Sequence, residues 1–277
     1  MKINISYFLE RIDEVPSFSG SVREIIDLFN KGEVNVKNLE QTLSKDVGIT
    51  TQVLRIANSP FFGFSGQIKS LKDACMILGL PSVYNLVTAA AVLERFPGDK
   101  DSIINYDEFW QHSIAVAITT KGILEKANKI SESAFLAGLI HDIGKLMLDM
   151  FFREDYLKII EYQKEHQCLM RQAEKAVLGL DHAELGAMML KSWKLPEEIV
   201  VTTRNHHNLN LGQYSHLVSS VRIADNLVKG LDIGNSDGNY IFSMSPKALP
   251  NLELTFDDLY ELLPVIENHI NSSEIWN

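Results

Sequence analysis

The sequence predicts an all-α fold with two helical subdomains. Apolar residues recur at three- and four-residue steps along almost the whole chain, the spacing of one helix face. Alternating apolar–polar runs of the kind that mark strands are scarce. Capping residues and helix stops punctuate the periodic stretches. The segment PGDKDSIINY, Pro97 to Tyr106, is polar and has no period. It divides residues 1–96, an N-terminal helical subdomain, from residues 107–231, a C-terminal helical bundle, with 232–277 an extension packing on that bundle.

The elements follow in order. SVREIIDLFNKG puts Val22, Ile25, Ile26 and Phe29 on one helix face, and Gly32 stops it. NLEQTLSKDVGITTQVLRIAN carries one or two helices, broken near Gly48. SLKDACMILGL has Ser70 as candidate N-cap and Gly79 just past its end. PSVYNLVTAAAVLERF starts with Pro81 at the first helical position and ends before Pro97. Between Asn58 and Ser70 lies a loop dense in Phe and Gly, NSPFFGFSGQIKS. The second half opens on a long helix, DEFWQHSIAVAITTKGILEKAN. AFLAGLIHDIGKLMLDM follows, with Ser131 as expected N-cap. In DHAELGAMMLKSW, Asp181 and Glu184 have capping-box spacing, so a helix should begin at His182. LPEEIVVTTRNHHN is expected to start with Pro196 at its first helical position, and SHLVSSVRIADNLVKG to be capped by Ser215. NSDGNY reads as a turn-rich loop, and a final acidic helix is expected near Phe256 to Ile266.

Composition narrows the function classes. The 277 residues are 45% hydrophobic and 22% charged, ordinary for a globular chain with a real core. The net charge of -10 disfavours general nucleic-acid binding, which needs Lys and Arg to neutralise phosphates. Cys75 and Cys168 lack CxxC spacing and read as free thiols. The first residues have no basic end followed by an apolar core, and no run reaches membrane-spanning length. The expected compartment is the cytoplasm.

Polar residues placed where the pattern asks for core carry the functional signal. His141, Asp142 and Lys145 stand inside an apolar stretch, and burying a charge is costly unless it is paired, hydrogen-bonded or bound to a metal. On one continuous helix His141 and Lys145 would share a face, with Asp142 beside them. His112, His182, His206, His207 and Asp225 also lie in apolar helical stretches or end them. One such His is usually a core residue with its hydrogen bonds met. The whole set offers imidazole nitrogen and carboxylate oxygen, the mixture that suits iron, manganese, zinc or magnesium. A hydrogen-bonded core network is the alternative. A metal would compensate Asp142, and an ion-bound phosphate would compensate Lys145.

These residues resemble the HD superfamily of metal-dependent phosphohydrolases. The matching stretches are HS at His112, GLIHDIGK at His141, Asp142 and Lys145, DHAELG at His182, HH at His206 and His207, and RIADNLV at Asp225. After the HH pair the chain reads HHNLNLGQYSH and lacks the glycine-tyrosine-proline signature of the branch that cleaves cyclic dinucleotides. The stretches VPSFSGSVREIIDLF, LSKDVGITTQVLRIANSPFFGF, IKSLKDACMILGLPSVYNLV and FWQHSIAVA are similar to the HDOD domain, the HD-related output domain of bacterial signalling proteins. So is AEKAVLGLDHAELGAMMLKSWKLPEEI. The resemblance spans about Val15 to Leu231 and implies an HD-like bundle over 107–231.

It also implies a regulatory module acting through unidentified signalling proteins, with a divalent transition metal (iron, manganese or zinc) at a retained HD-type site. The implied ligands are His112, His141, Asp142, His182, His206, His207 and Asp225. The alternative is a metal-dependent phosphohydrolase acting on a nucleotide or phosphodiester, with Asp142 and Lys145 in catalytic roles and a nucleotide or phosphate as ligand. Phe61, Phe62 and Phe64 either lock the N-terminal helices onto the HD-like half or face a partner protein.

Overall fold

The computed structural model describes residues 5–12, 15, 17–59, 62, 64, 66–208, 212, 214–234 and 246–272. All regular elements among them are helices. The N-terminal set is α1 (Ile5–Ile12), α2 (Gly20–Asn30), α3 (Val36–Leu43), α4 (Val47–Ala57), α5 (Leu71–Leu78) and α6 (Leu80–Arg95). Then come α7 (Tyr106–Lys126), α8 (Ala134–Leu139), α9 (Ile143–Phe151), α10 (Arg153–His166), α11 (Met170–Val177), α12 (His182–Ser192), α13 (Glu197–Asn205) and α14 (Ser215–Gly230). Two more, α15 (Ala248–Leu252) and α16 (Phe256–Ser272), complete the chain. The NSDGNY loop and Phe61 lie outside the described residues.

Local chemistry explains most boundaries. Ser70 caps α5 by accepting from the Asp73 amide, and Gly79 follows its last residue with φ +83°. Asp181 and Glu184 form the expected capping box, and α12 starts at His182. Five boundaries differ from expectation, the start of α6 among them, where Leu80 is the first helical residue and Pro81 the second. The break before α4 comes earlier than Gly48, because the Asp46 carboxylate accepts from the Ile49 amide and starts the helix there. The residue before α8 is Ser133 rather than Ser131; its hydroxyl bonds the Glu198 carboxylate instead of the helix end. Pro196 precedes α13 as its N-cap, and Ser215 is already helical behind Tyr214, which has φ +65°.

Helix α7 is the axis of the C-terminal half, with α8, α14 and α16 packed on it. Helix α12 packs between α9 and α13. Helices α4, α5 and α2 gather on α6, which in turn meets α8. One cluster of buried apolar residues runs from Phe8 to Leu259, so the core is continuous across the 97–106 segment. Its crossings include Phe8 against Phe152, with ring centroids 5.0 Å apart, and Phe18 against Trp193 at 4.4 Å. In the C-terminal extension α15 lies on α14 and α16 on α7, where Lys126 reaches Glu261 at 2.7 Å. Among the described residues no helix is long and apolar enough to cross a membrane.

Two close backbone approaches set the geometry around the polar cluster. A Cβ on Gly138 of α8 would stand 2.5 Å from Cα of Ala117 on α7. A Cβ on Gly144 of α9 would stand 1.9 Å from the His182 carbonyl oxygen and 2.8 Å from the Gly186 amide nitrogen. Only glycine permits α9 and α12 to touch main chain to main chain there.

Gly144→Ala should therefore lower stability by about 1–3 kcal/mol or more, since the backbones must part. Gly122, inside α7, has nothing within 4 Å of an added Cβ. Gly122→Ala should instead raise stability by about 0.5–1 kcal/mol through helix propensity. Denaturant unfolding of both variants checks the opposite signs.

Candidate metal centre

The helical pattern through residues 134–150 is interrupted at its polar centre. Helix α8 ends at Leu139, α9 begins at Ile143, and Ile140, His141 and Asp142 form the turn between them. His141 and Lys145 therefore do not share the face of one helix. The break has a physical use: it releases His141 and Asp142 from helical side-chain directions and turns both toward α7, α12 and α14. Asp142 stands at the N-cap position of α9 without capping it, so its carboxylate is left for other partners.

All the sequence-predicted ligands meet in this place. Potential donor atoms of Asp142, His182, His206 and His207 lie within 4.8 Å of one another, as do those of His112, His141 and Asp225. Asp142 joins the two groups. Its Oδ1 lies 3.2 Å from Nε2 of His182 and 3.3 Å from Nε2 of His206. Its Oδ2 lies 2.6 Å from Nζ of Lys145 and 3.4 Å from Nε2 of His141. Asp225 Oδ1 lies 3.1 Å from Nε2 of His112 and 3.6 Å from Nε2 of His141. Every one of these side chains is buried, His207 being the most exposed at 7%.

The ring tautomers follow from their neighbours. A carbonyl oxygen only accepts, so His141 Nδ1–H donates to Gly138 O at 2.7 Å and His206 Nδ1–H to Thr203 O at 2.6 Å. His182 Nδ1–H donates to the buried Glu174 carboxylate at 2.8 Å, which also accepts from the His182 amide at 2.9 Å. When neutral, all three rings carry the lone pair on Nε2, which faces the cluster. This is the arrangement that orients histidine for a metal. His207 is set differently. Arginine has no acceptor, so Arg222 donates to His207 Nδ1 at 3.2 Å. Neutral His207 then carries its proton on Nε2, 2.8 Å from Nε2 of His182.

The charges explain how the cluster tolerates burial. Burial alone would raise the Asp142 carboxyl, but His141 and Lys145 outweigh it and hold it well below the usual carboxylate range. Asp225 is likewise held low against burial, by Lys229 first and then by His112. Burial would push His182 down, yet the Glu174 and Asp142 carboxylates lift it to about 10. A proton on its Nε2 would collide with the Nε2–H of His207, so the neutral ring suits the hydrogen-bond pattern. The same two carboxylates leave the site negative, which favours a cation of another kind. His206 is driven down to about 4 by burial and stays a neutral donor.

The donor set fits a divalent transition metal on an internal observation. Asp142 Oδ1, His141 Nε2 and His206 Nε2 are buried and have no hydrogen-bond partner. Buried polar atoms are nearly always satisfied, and an ion beside Asp142 Oδ1 and His206 Nε2, which lie 3.3 Å apart, would satisfy both. Three groups escaped the sequence reading. Glu174 lies on the short polar helix α11 and gave no sign of burial. Arg222 reads as a solvated helical residue. Lys229 stands four residues after Asp225 and bonds it at 2.9 Å, a spacing that could have been noticed. Lys145 is compensated directly by Asp142.

The fold and the buried His–Asp cluster define an HD-type helical protein. A profile of the HDOD domain matches residues 15–209, and the chain belongs to that family. The match ends before Asp225 and Lys229. An HDOD-domain protein of Geobacter sulfurreducens superposes over 99% of both chains with a TM-score of 0.77 at 24% identity. A candidate phosphohydrolase of Shewanella amazonensis superposes over 97% of this chain and 90% of its own, with a TM-score of 0.71 at 23% identity. These likenesses establish the fold. An uncharacterised protein of Treponema pallidum is 25% identical over 230 residues, 80% of this chain and 44% of that protein. The cyclic-di-AMP phosphodiesterase PgpH of Bacillus subtilis is 29% identical over 102 residues, 37% of this chain and 14% of its own. The chain thus spans less than half the length of either curated relative.

Removal of the central carboxylate should be felt throughout the site. Asp142→Ala removes the carboxylate that Lys145 contacts at 2.6 Å and breaks a buried ion pair, so it should lower stability by about 3–5 kcal/mol. Asp142→Asn, which keeps the shape and an acceptor oxygen, should cost clearly less. Urea unfolding of the two variants side by side checks the order.

Proposed function

We propose that this chain is a regulatory output module that acts through contacts with other proteins and holds a divalent transition metal at its HD-type cluster. The observation carrying the metal is the pair of unpartnered buried atoms Asp142 Oδ1 and His206 Nε2, 3.3 Å apart. Imidazole with carboxylate favours iron, manganese or zinc over calcium. In this reading Asp142, His182 and His206 hold the ion, and Glu174 fixes the His182 ring. A bound ion of this kind polarises phosphoryl oxygen and acidifies coordinated water.

The regulatory part rests on closure and on family. The cluster is shut from solvent, with Lys145 1% exposed and already in contact with Asp142. A substrate phosphate would have to open the site and draw Lys145 out of that pair. HDOD membership supports a signalling role. Of the three loop phenylalanines, Phe62 packs against Phe135 with centroids 5.8 Å apart, and Lys121 lies over its ring at 5.1 Å. Those contacts favour the locking role for Phe62. Phe64 is 42% exposed and is the better candidate for contact with a signalling protein. The cytoplasm is the compartment this reading requires.

The second reading, a phosphohydrolase acting on a nucleotide or phosphodiester, is favoured by the partial identity to a cyclic-di-AMP phosphodiesterase. There Asp142 and Lys145 would act at the phosphate, Lys145 against developing negative charge.

Elemental analysis of protein purified without chelator should find iron, manganese or zinc, and His206→Ala should lose it. Glu174→Gln should weaken metal binding by about 10–100-fold while the fold persists, as seen by circular dichroism. Wild type supplied with manganese or iron should show no more turnover of cyclic dinucleotides and nucleotides than His206→Ala. In cells carrying the chain as sole copy, His206→Ala should keep its output and Phe64→Ser should lose it. Turnover that disappears in His206→Ala would establish the enzyme instead.

A further inference from the structure

The two aspartates of the cluster are not equivalent. Lys145 contacts Asp142 through Oδ2 alone, at 2.6 Å. That leaves Oδ1 buried and without a hydrogen bond, opposite the equally unpartnered Nε2 of His206. Lys229 instead straddles Asp225, with Nζ 2.9 Å from Oδ1 and 3.0 Å from Oδ2. Oδ1 is also the atom that meets His112 Nε2 at 3.1 Å. Neither Asp225 oxygen is left without a partner, and the unpartnered nitrogen of His112 is Nδ1, not the one facing Asp225. Lys229 is itself 6% exposed and follows Asp225 by one helical turn of α14, so its reach is fixed by the helix.

We propose that the Lys229 ammonium stands where an ion would sit at the Asp225 end, so that the chain binds a single divalent ion, at the Asp142 end. This rests on the metal reading above and sharpens it. An ion entering between His112, His141 and Asp225 finds His141 Nε2 open but must share its carboxylate with a positive charge already in contact with both oxygens. An ion entering at Asp142 Oδ1 meets open donors. The consequence for chemistry is direct. An in-line displacement that clamps the attacking and leaving oxygens needs a pair of ions about 3.5–4 Å apart. Lys229 denies the cluster that pair, and a signalling module that retains HD ligands without the paired-ion reaction follows from it.

The test counts ions and needs no activity. The full chain is titrated with Mn2+, freed of unbound metal by gel filtration, and measured by elemental analysis. Wild type should retain about one equivalent and Lys229→Met, which keeps length and removes charge, about two. Asp225→Asn should retain the wild-type equivalent, because the ion lies at the other end, and Asp142→Asn should lose it. Two equivalents in wild type, or no gain in a folded Lys229→Met, overturn the inference and leave the metal reading standing. Should Lys229→Met not fold, Asp225→Asn decides: loss of its ion places the metal at Asp225 and overturns the inference. No metal in any variant overturns both readings together.

Discussion

The carboxylates of Asp142 and Asp225 are buried completely at the centre of the cluster, and the architecture of the C-terminal half answers to them. An isolated buried carboxylate would take up a proton or unfold the site. Here each has a lysine from its own helical neighbourhood, Lys145 three residues on and Lys229 four residues on. Glu174 and Arg222 extend the same balance outward, the first through His182 and the second through His207. The cluster is a set of paired opposite charges with a few atoms left over, and those atoms define where a cation is drawn.

The pairing needs its members at fixed distances, and main chain rather than side chains supplies the precision. His182 is the first residue of α12, and its carbonyl lies against Gly144, two residues after Asp142. Gly138, whose carbonyl accepts from His141, is itself pressed on α7, the helix that carries His112. Side chains can change rotamer to accommodate strain; backbones in contact cannot. Gly138 and Gly144 are the points that fix the donor geometry.

What the sequence disclosed follows this division. Caps are local chemistry, and Ser70 and the Asp181–Glu184 box were legible as such. The ligand residues stood out because polar groups in apolar runs contradict the pattern around them. The break at His141 was hidden for the same reason: Ile140, Ile143, Leu146 and Met147 keep an apolar character straight through it. Glu174 was invisible because its helix, MRQAEKAV, is polar on most positions, and only tertiary packing buries that one carboxylate. Lys229, next to Gly230 at a helix end, looks like a residue placed for the helix dipole. Its partner is instead Asp225, which only the fold makes a buried anion.

The shortness of α8 has a mechanical consequence. Phe135 near its start touches Phe62 from the N-terminal loop, and His141 follows just past its end. At 1.5 Å per residue the span between them is about 9 Å. A helix that short does not bend appreciably, and α6, α7, α13 and α14 hold it along its length. It is a stiff rod with an aromatic handle at one end and the imidazole–carboxylate turn at the other. Any load applied at the Phe62 loop reaches the donor cluster with almost no compliance in between.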